Sequence, residues 1–108
     1  MIYAIEEISE RIKPIAEKYK LPAVYLFGSY ARGTATENSD IDLIVDTTGT
    51  NIKGLFGLGE LYCELESALD KKIDVITVQA LKQTTQMESE REFNDYVWKE
   101  KVSLYAVA

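Results

Sequence analysis

At 108 residues, with 46% apolar and 28% charged side chains, the chain has the size and composition of one folded domain (1–108), and no apolar run reaches the roughly 20 residues of a membrane helix. It has no histidine and a single cysteine, which excludes an internal disulfide, Ser-His-Asp or Cys-His catalysis, and most zinc sites. The net charge of −6, with lysines and arginines scattered, disfavours a nucleic-acid partner, and the start Met1-Ile2-Tyr3-Ala4 followed by Glu6 and Glu7 lacks a signal-peptide pattern, so a cytoplasmic protein without a membrane partner is expected.

Ile5, Ile8, Ile12, Ile15 and Tyr19 recur at three- and four-residue intervals. That spacing predicts an amphipathic helix over about residues 4–20, kinked or restarted at Pro14. After Pro22, the run Ala23-Val24-Tyr25-Leu26-Phe27 reads as a buried strand that ends at Gly28-Ser29. Tyr30 to Arg32 fits a short helical turn, and 33–39 a polar loop. Asp40 to Asp46 reads as a second strand, with Ile41, Leu43 and Val45 on one face and Asp40, Asp42, Ile44 and Asp46 on the other. A turn-rich connection over 47–54 leads to a helix marked by Leu55, Leu58, Leu61, Leu65 and Leu69, with Tyr62 beside the stripe. Cys63 falls in this pattern and is expected to be a core or half-buried thiol. Lys72 to Val78 reads as a third strand containing Asp74. The tail from Leu81 has helical tendency, with Phe93, Val97 and Trp98 on one side, and 102–107 reads as a last strand. The order of elements predicts an α+β (mixed α/β) domain, a small sheet flanked by helices.

The chemistry concentrates in two stretches. Asp40 and Asp42 lie two residues apart on a strand, so their carboxylates project from one face and repel unless a cation sits between them. Oxygen-only ligands suit Mg²⁺ or Mn²⁺. Asp-x-Asp alone is an ordinary turn pattern. Here the aspartates alternate with Ile41 and Leu43 in a strand with a buried face, where an unpaired carboxylate is costly. Asp46, at the strand end, reads as solvated. Asp74 lies inside Ile73-Asp74-Val75-Ile76 and needs a partner too: a shared metal, or an ion pair with Lys71 or Lys72.

Gly28-Ser29 closes a strand, where a glycine permits a sharp turn and close approach of a ligand, and where amides and a hydroxyl can hold phosphate oxygens. A plain serine cap explains the pair equally well in isolation. Gly28 and Gly33 have the glycine spacing of a P-loop, but Thr34 stands where its lysine is required. An EF-hand starting at Asp40 fails because its sixth residue is Val45 instead of glycine.

Taken together, Gly28-Ser29-x-Ala31-Arg32-Gly33, Ser39-Asp40-x-Asp42-Leu43-x-Val45 and the later Asp74 resemble the signature of the polymerase beta-like nucleotidyltransferases, in the short form of the minimal nucleotidyltransferase (MNT) family. The resemblance implies that fold, and it implies two Mg²⁺ ions (Mn²⁺ in their place also fitting) bound by Asp40, Asp42 and Asp74, these three being the catalytic residues. It implies that Gly28 and Ser29 hold the triphosphate of ATP. Arg32 is a candidate to stabilise phosphate charge or to pair with an acidic partner surface; Tyr30 is a candidate to flank the nucleotide or to pack in the core.

Short members resembling this chain act as antitoxins beside a HEPN-family toxin, so the resemblance implies transfer of AMP to a tyrosine hydroxyl of that toxin. Two other readings are open at this point: a silent binding antitoxin that masks its toxin by contact, and a nucleotidyltransferase acting on a small molecule. The loop Thr34-Ala35-Thr36-Glu37-Asn38 is less basic than the family pattern, and the polar stretch from Gln83 to Lys101 fits it poorly.

Overall fold

The computed structural model describes residues 2–52, 54–83 and 95–107. Helix α1 (Ile5–Lys18) leads to strand β1 (Ala23–Phe27) and a one-turn helix α2 (Gly28–Arg32). Strand β2 (Ile41–Asp46), helix α3 (Gly54–Leu69), strand β3 (Ile73–Thr77) and helix α4 (Val78–Gln83) follow. A last helix α5 (residues 95–100) and strand β4 (Val102–Ala106) complete the described chain. Phe93, expected on the tail helix, lies outside the described residues.

The four strands form one mixed sheet in the order β3-β2-β1-β4. β1 is antiparallel to both β2 and β4, whereas β2 and β3 are parallel. A parallel pair needs a crossover connection, and α3 supplies it. The alternation read in β2 is the alternation observed. Ile41, Leu43 and Val45 join the main core with Ile8, Ile12 and Ile15 of α1 and Leu61, Leu65 and Leu69 of α3. Ile44, on the opposite face, packs with Val78, Leu81 and Val97 in a second, smaller cluster under α4 and α5. Helices therefore cover both faces.

The element ends have identifiable causes. α1 carries Glu6 and Glu7 in its first turn and Lys18 in its last, which suits the helix dipole. It continues as one helix through Pro14, which does not start a new helix. Pro14 lies on the exposed side, so the carbonyl that loses its N–H partner faces water instead of the core. α2 stops after one turn because Gly33 adopts φ +77° and donates its N–H to the Ser29 carbonyl.

Two expectations for α3 are corrected. Cys63 is exposed. At 100° per residue it points away from the buried stripe Leu61, Leu65, Leu69. Leu55, expected in that stripe, is 88% exposed, and its neighbour Phe56 is 96% exposed. The first turns of α3 extend beyond the sheet and have no core to enter.

Candidate active site

The parallel pairing of β2 with β3 sets Asp42 directly beside Asp74. The alignment is pinned just upstream, where the Ile41 N–H donates to the Lys72 carbonyl at 3.1 Å. On the other side of β2, Asp42 pairs with Phe27, the residue before Gly28. One row across the sheet thus reads Phe27, Asp42, Asp74, and Gly28, just past the end of β1, lies against Asp42. The row lies on the face that carries Ile44 and Ile76 one step further along, where α4 and α5 provide cover. Asp74 is exposed and Asp42 half-buried, so the row opens to solvent at its β3 end.

Gly28 is required here. It has φ +76°, and a Cβ at this position would overlap the Oδ2 of Asp42. A residue with a side chain would be strained by its backbone and would displace the carboxylate. The strand-to-helix turn can therefore bring backbone close against Asp42.

Asp40 stands immediately before β2 and is half-buried. The loop leading to it is stiffened by a turn in which the Ser39 N–H donates to the Thr36 carbonyl at 3.0 Å, while the Thr36 N–H donates to Ser39 Oγ at 2.8 Å. Burial, with repulsion from Asp74 and Asp40, pushes the Asp42 carboxyl up to about 6, and the Arg32 guanidinium relieves only part of this. The repulsion expected between Asp40 and Asp42 is thus joined by a larger one from Asp74.

The donor set fits a hard divalent cation. Every candidate ligand is a carboxylate oxygen, and a cation would relieve the repulsion that raises Asp42. Among the described residues no trio of carboxylates or thiols is already gathered into a closed cage. The arrangement is an Asp42–Asp74 pair with Asp40 alongside.

Arg32 is exposed, one helical turn beyond Ser29, and donates to the Tyr96 hydroxyl at 3.4 Å. Ser29 is half-buried, and its carbonyl accepts the Thr34 N–H at 2.9 Å, which closes the turn. Tyr30 is a core residue, 4% exposed, whose hydroxyl has no protein partner among the described residues. Asp46 is occupied outside the site: it accepts from the Thr48 N–H at 2.9 Å and from Gln79 Nε2 at 3.5 Å, as a cap of the loop after β2. Lys71, one suggested partner of Asp74, donates to the Glu37 carbonyl at 2.8 Å. Tyr96 was not singled out by sequence, because a tyrosine in a polar stretch carries no pattern that would place it beside Arg32.

The sequence profile described as "Polymerase beta, Nucleotidyltransferase" matches residues 10–103. The chain belongs to the polymerase beta nucleotidyltransferase family. Its similarity to individual members is substantial. The MJ1379 protein of Methanocaldococcus jannaschii is 42% identical over 78 residues, 71% of this chain and 78% of its own. Protein adenylyltransferase MntA of Thermococcus cleftensis is 36% identical over 70 residues, 65% and 69% of the two chains. A crystal structure of a toxin-antitoxin with AMP-PNP superposes with a TM-score of 0.67 at 27% identity, covering 92% of this chain and 73% of that one. A chain of the complex between a tri-AMPylated Shewanella oneidensis HEPN toxin and an MNT antitoxin shares the fold, with a TM-score of 0.61 at 21% identity over 95% of this chain and 73% of that one. The fold expected from the resemblance is the fold observed. In this nucleotidyltransferase, Gly28, Asp42 and Asp74 lie together where β1 ends and where β2 and β3 run side by side.

Proposed function

We propose that this nucleotidyltransferase transfers AMP from ATP to a tyrosine hydroxyl of a HEPN-family toxin and so acts as its antitoxin. The observation that carries the reading is the row across the sheet: a glycine turn pressed against one aspartate, with a second aspartate in register on the next strand. The relationship to a protein adenylyltransferase and to a toxin-antitoxin structure with AMP-PNP supports it.

In this reading Gly28 and Ser29 hold the triphosphate, with Arg32 adding positive charge at its outer side. Asp40 and Asp42 would hold two divalent cations, Mg²⁺ or Mn²⁺, and Asp74 would share the one nearer the acceptor. When bound, such ions neutralise phosphate charge and lower the energy of an in-line displacement. Asp74 receives the acceptor proton at its carboxylate. The acceptor oxygen bonds to the α-phosphorus, the bond to the β-phosphate breaks, and pyrophosphate leaves with the electron pair. No step requires histidine, in keeping with its absence from the chain. Intact-mass measurement of a co-encoded HEPN toxin after incubation with this chain, ATP and Mg²⁺ tests the reading. Whole adenylyl increments are expected with the native chain and none with Asp74→Asn.

A further inference from the structure

The edge of the sheet beyond Asp74 has a structure that the reaction alone does not require. β3 ends the strand order, and among the described residues no strand pairs with its outer side. The directions of its backbone groups follow from two bonds. The Lys72 carbonyl accepts from Ile41 of β2, so it points inward. The Ile73 carbonyl accepts from the Tyr62 hydroxyl of α3 at 2.9 Å, so it points outward. Groups alternate along a strand. The N–H and C=O of Val75 and Thr77 therefore face outward as well.

That outward edge floors an apolar groove of about 390 Å³ between α3 and α4, walled by Leu55, Leu58, Tyr62 and Ala80. Leu55 is 88% exposed. An exposed strand edge beside exposed apolar side chains is a template for strand addition.

The order of the row says what belongs there. With the triphosphate on the Gly28 side and Asp42 in the middle, an in-line attack must come from the Asp74 side, which is the β3 edge. We infer that the acceptor protein docks as an extended segment added to the outer edge of β3. Its hydroxyl-bearing residue lies on the Asp74 face, and the apolar residues on either side of it turn into the groove. This rests on the adenylyl-transfer reading above. A neighbouring strand lies about 4.8 Å away, which sets the hydroxyl beside Asp74, while residues one step away point to the opposite face, toward Leu55 and Leu58. The chain's net charge of −6 favours a segment with basic ends.

The probe is a capped peptide, Lys-Lys-Val-Ile-Tyr-Ile-Val-Lys-Lys, titrated into the full chain and followed by amide NMR with a non-transferable ATP analogue and Mg²⁺ present. Shifts at Val75 and Thr77 are expected. Of two peptides N-methylated at alternate residues, one should abolish these shifts and the other keep them, because only alternate amides face the added edge. Leu55→Asp should raise the KM for the peptide about tenfold and leave the KM for ATP unchanged. Shifts that survive both methylation patterns, or no shifts at all, overturn the inference. So does Leu55→Asp raising the KM for ATP alone, which would assign the groove to the nucleotide base. Concentration-dependent shifts at these amides without peptide would assign the edge to a second copy and likewise overturn it. If the edge amides respond and no acceptor is ever adenylylated, the functional reading fails and the docking edge stands. If AMP is transferred and the edge is silent, the docking edge alone fails.

Discussion

Gly28 and Asp42 share a space that has no room for a methyl group: a Cβ on Gly28 would overlap Asp42 Oδ2. The two residues lie 14 positions apart in sequence and are joined by the β1–β2 pairing of Phe27 with Asp42. Gly28→Ala is expected to push Asp42 out of line and to strain a backbone at φ +76°. The expected result is a loss of adenylyl transfer of at least about a hundredfold, with about 1–2 kcal/mol lost in stability. Steady-state kinetics alongside urea denaturation separates the two effects.

Asp42 titrates at about 6 against an ordinary value of 3.8, chiefly through burial and then through Asp74 and Asp40. The folded chain thus holds this proton more tightly than the unfolded chain does. The group's contribution to stability is present below pH 3.8 and is lost as pH rises through about 6. In metal-free protein at pH 8, Asp42→Asn is expected to stabilise by on the order of 1 kcal/mol, after discounting for solvent screening. Mg²⁺ should raise the Tm of the native chain and not that of the variant. Thermal melts at pH 5 and pH 8, with and without Mg²⁺, check both statements.

Glu64 joins α3 to the end of α1. It accepts from Lys18 Nζ at 2.8 Å and from the Tyr19 hydroxyl. These two bonds hold its carboxyl below the ordinary value of 4.5. A depressed carboxylate contributes stability above its unfolded value, and that contribution is lost as pH falls through the lower folded value. The Tm of the native chain should therefore fall more steeply below pH 4.5 than that of Glu64→Gln, an acid-side comparison by circular dichroism.

Leu65 is fully buried between α3 and the sheet. Leu65→Ala is expected to cost about 2–5 kcal/mol of unfolding free energy through lost burial and the cavity left behind. The site lies on the opposite face of the sheet, so kcat per folded molecule should change little. Denaturant unfolding and active-site-normalised rates test this directly.

The sheet was legible from the sequence because its strands have unambiguous patterns. Ala23–Phe27 is continuously apolar, and Ile41–Asp46 alternates. The candidate site was legible for a related reason: a carboxylate at Asp42, half-buried in an apolar strand, is costly unless it is paired, whereas the exposure of Asp74 could not be read from its apolar neighbours. The ends of α3 were not legible. Leu55 and Leu58 continue the spacing of Leu61 and Leu65, and spacing cannot say where the sheet beneath a helix stops. The continuation of α1 past Pro14 was not legible for a similar reason, since the cost of a proline depends on which side of the helix faces water. The contact of Arg32 with Tyr96 joins residues 64 apart across an exposed surface, a tertiary relationship that no local pattern encodes.

We propose that Gly28, Asp42 and Asp74 belong to one adenylyl-transfer site. The most direct test incubates the purified chain with α-labelled ATP, Mg²⁺ and a co-encoded HEPN toxin, beside an Asp40→Asn/Asp42→Asn control. Label on the toxin that disappears with the control is the expected result. A toxin that forms a stable complex with the native chain, stays unlabelled, and is neutralised equally well by the control would contradict it.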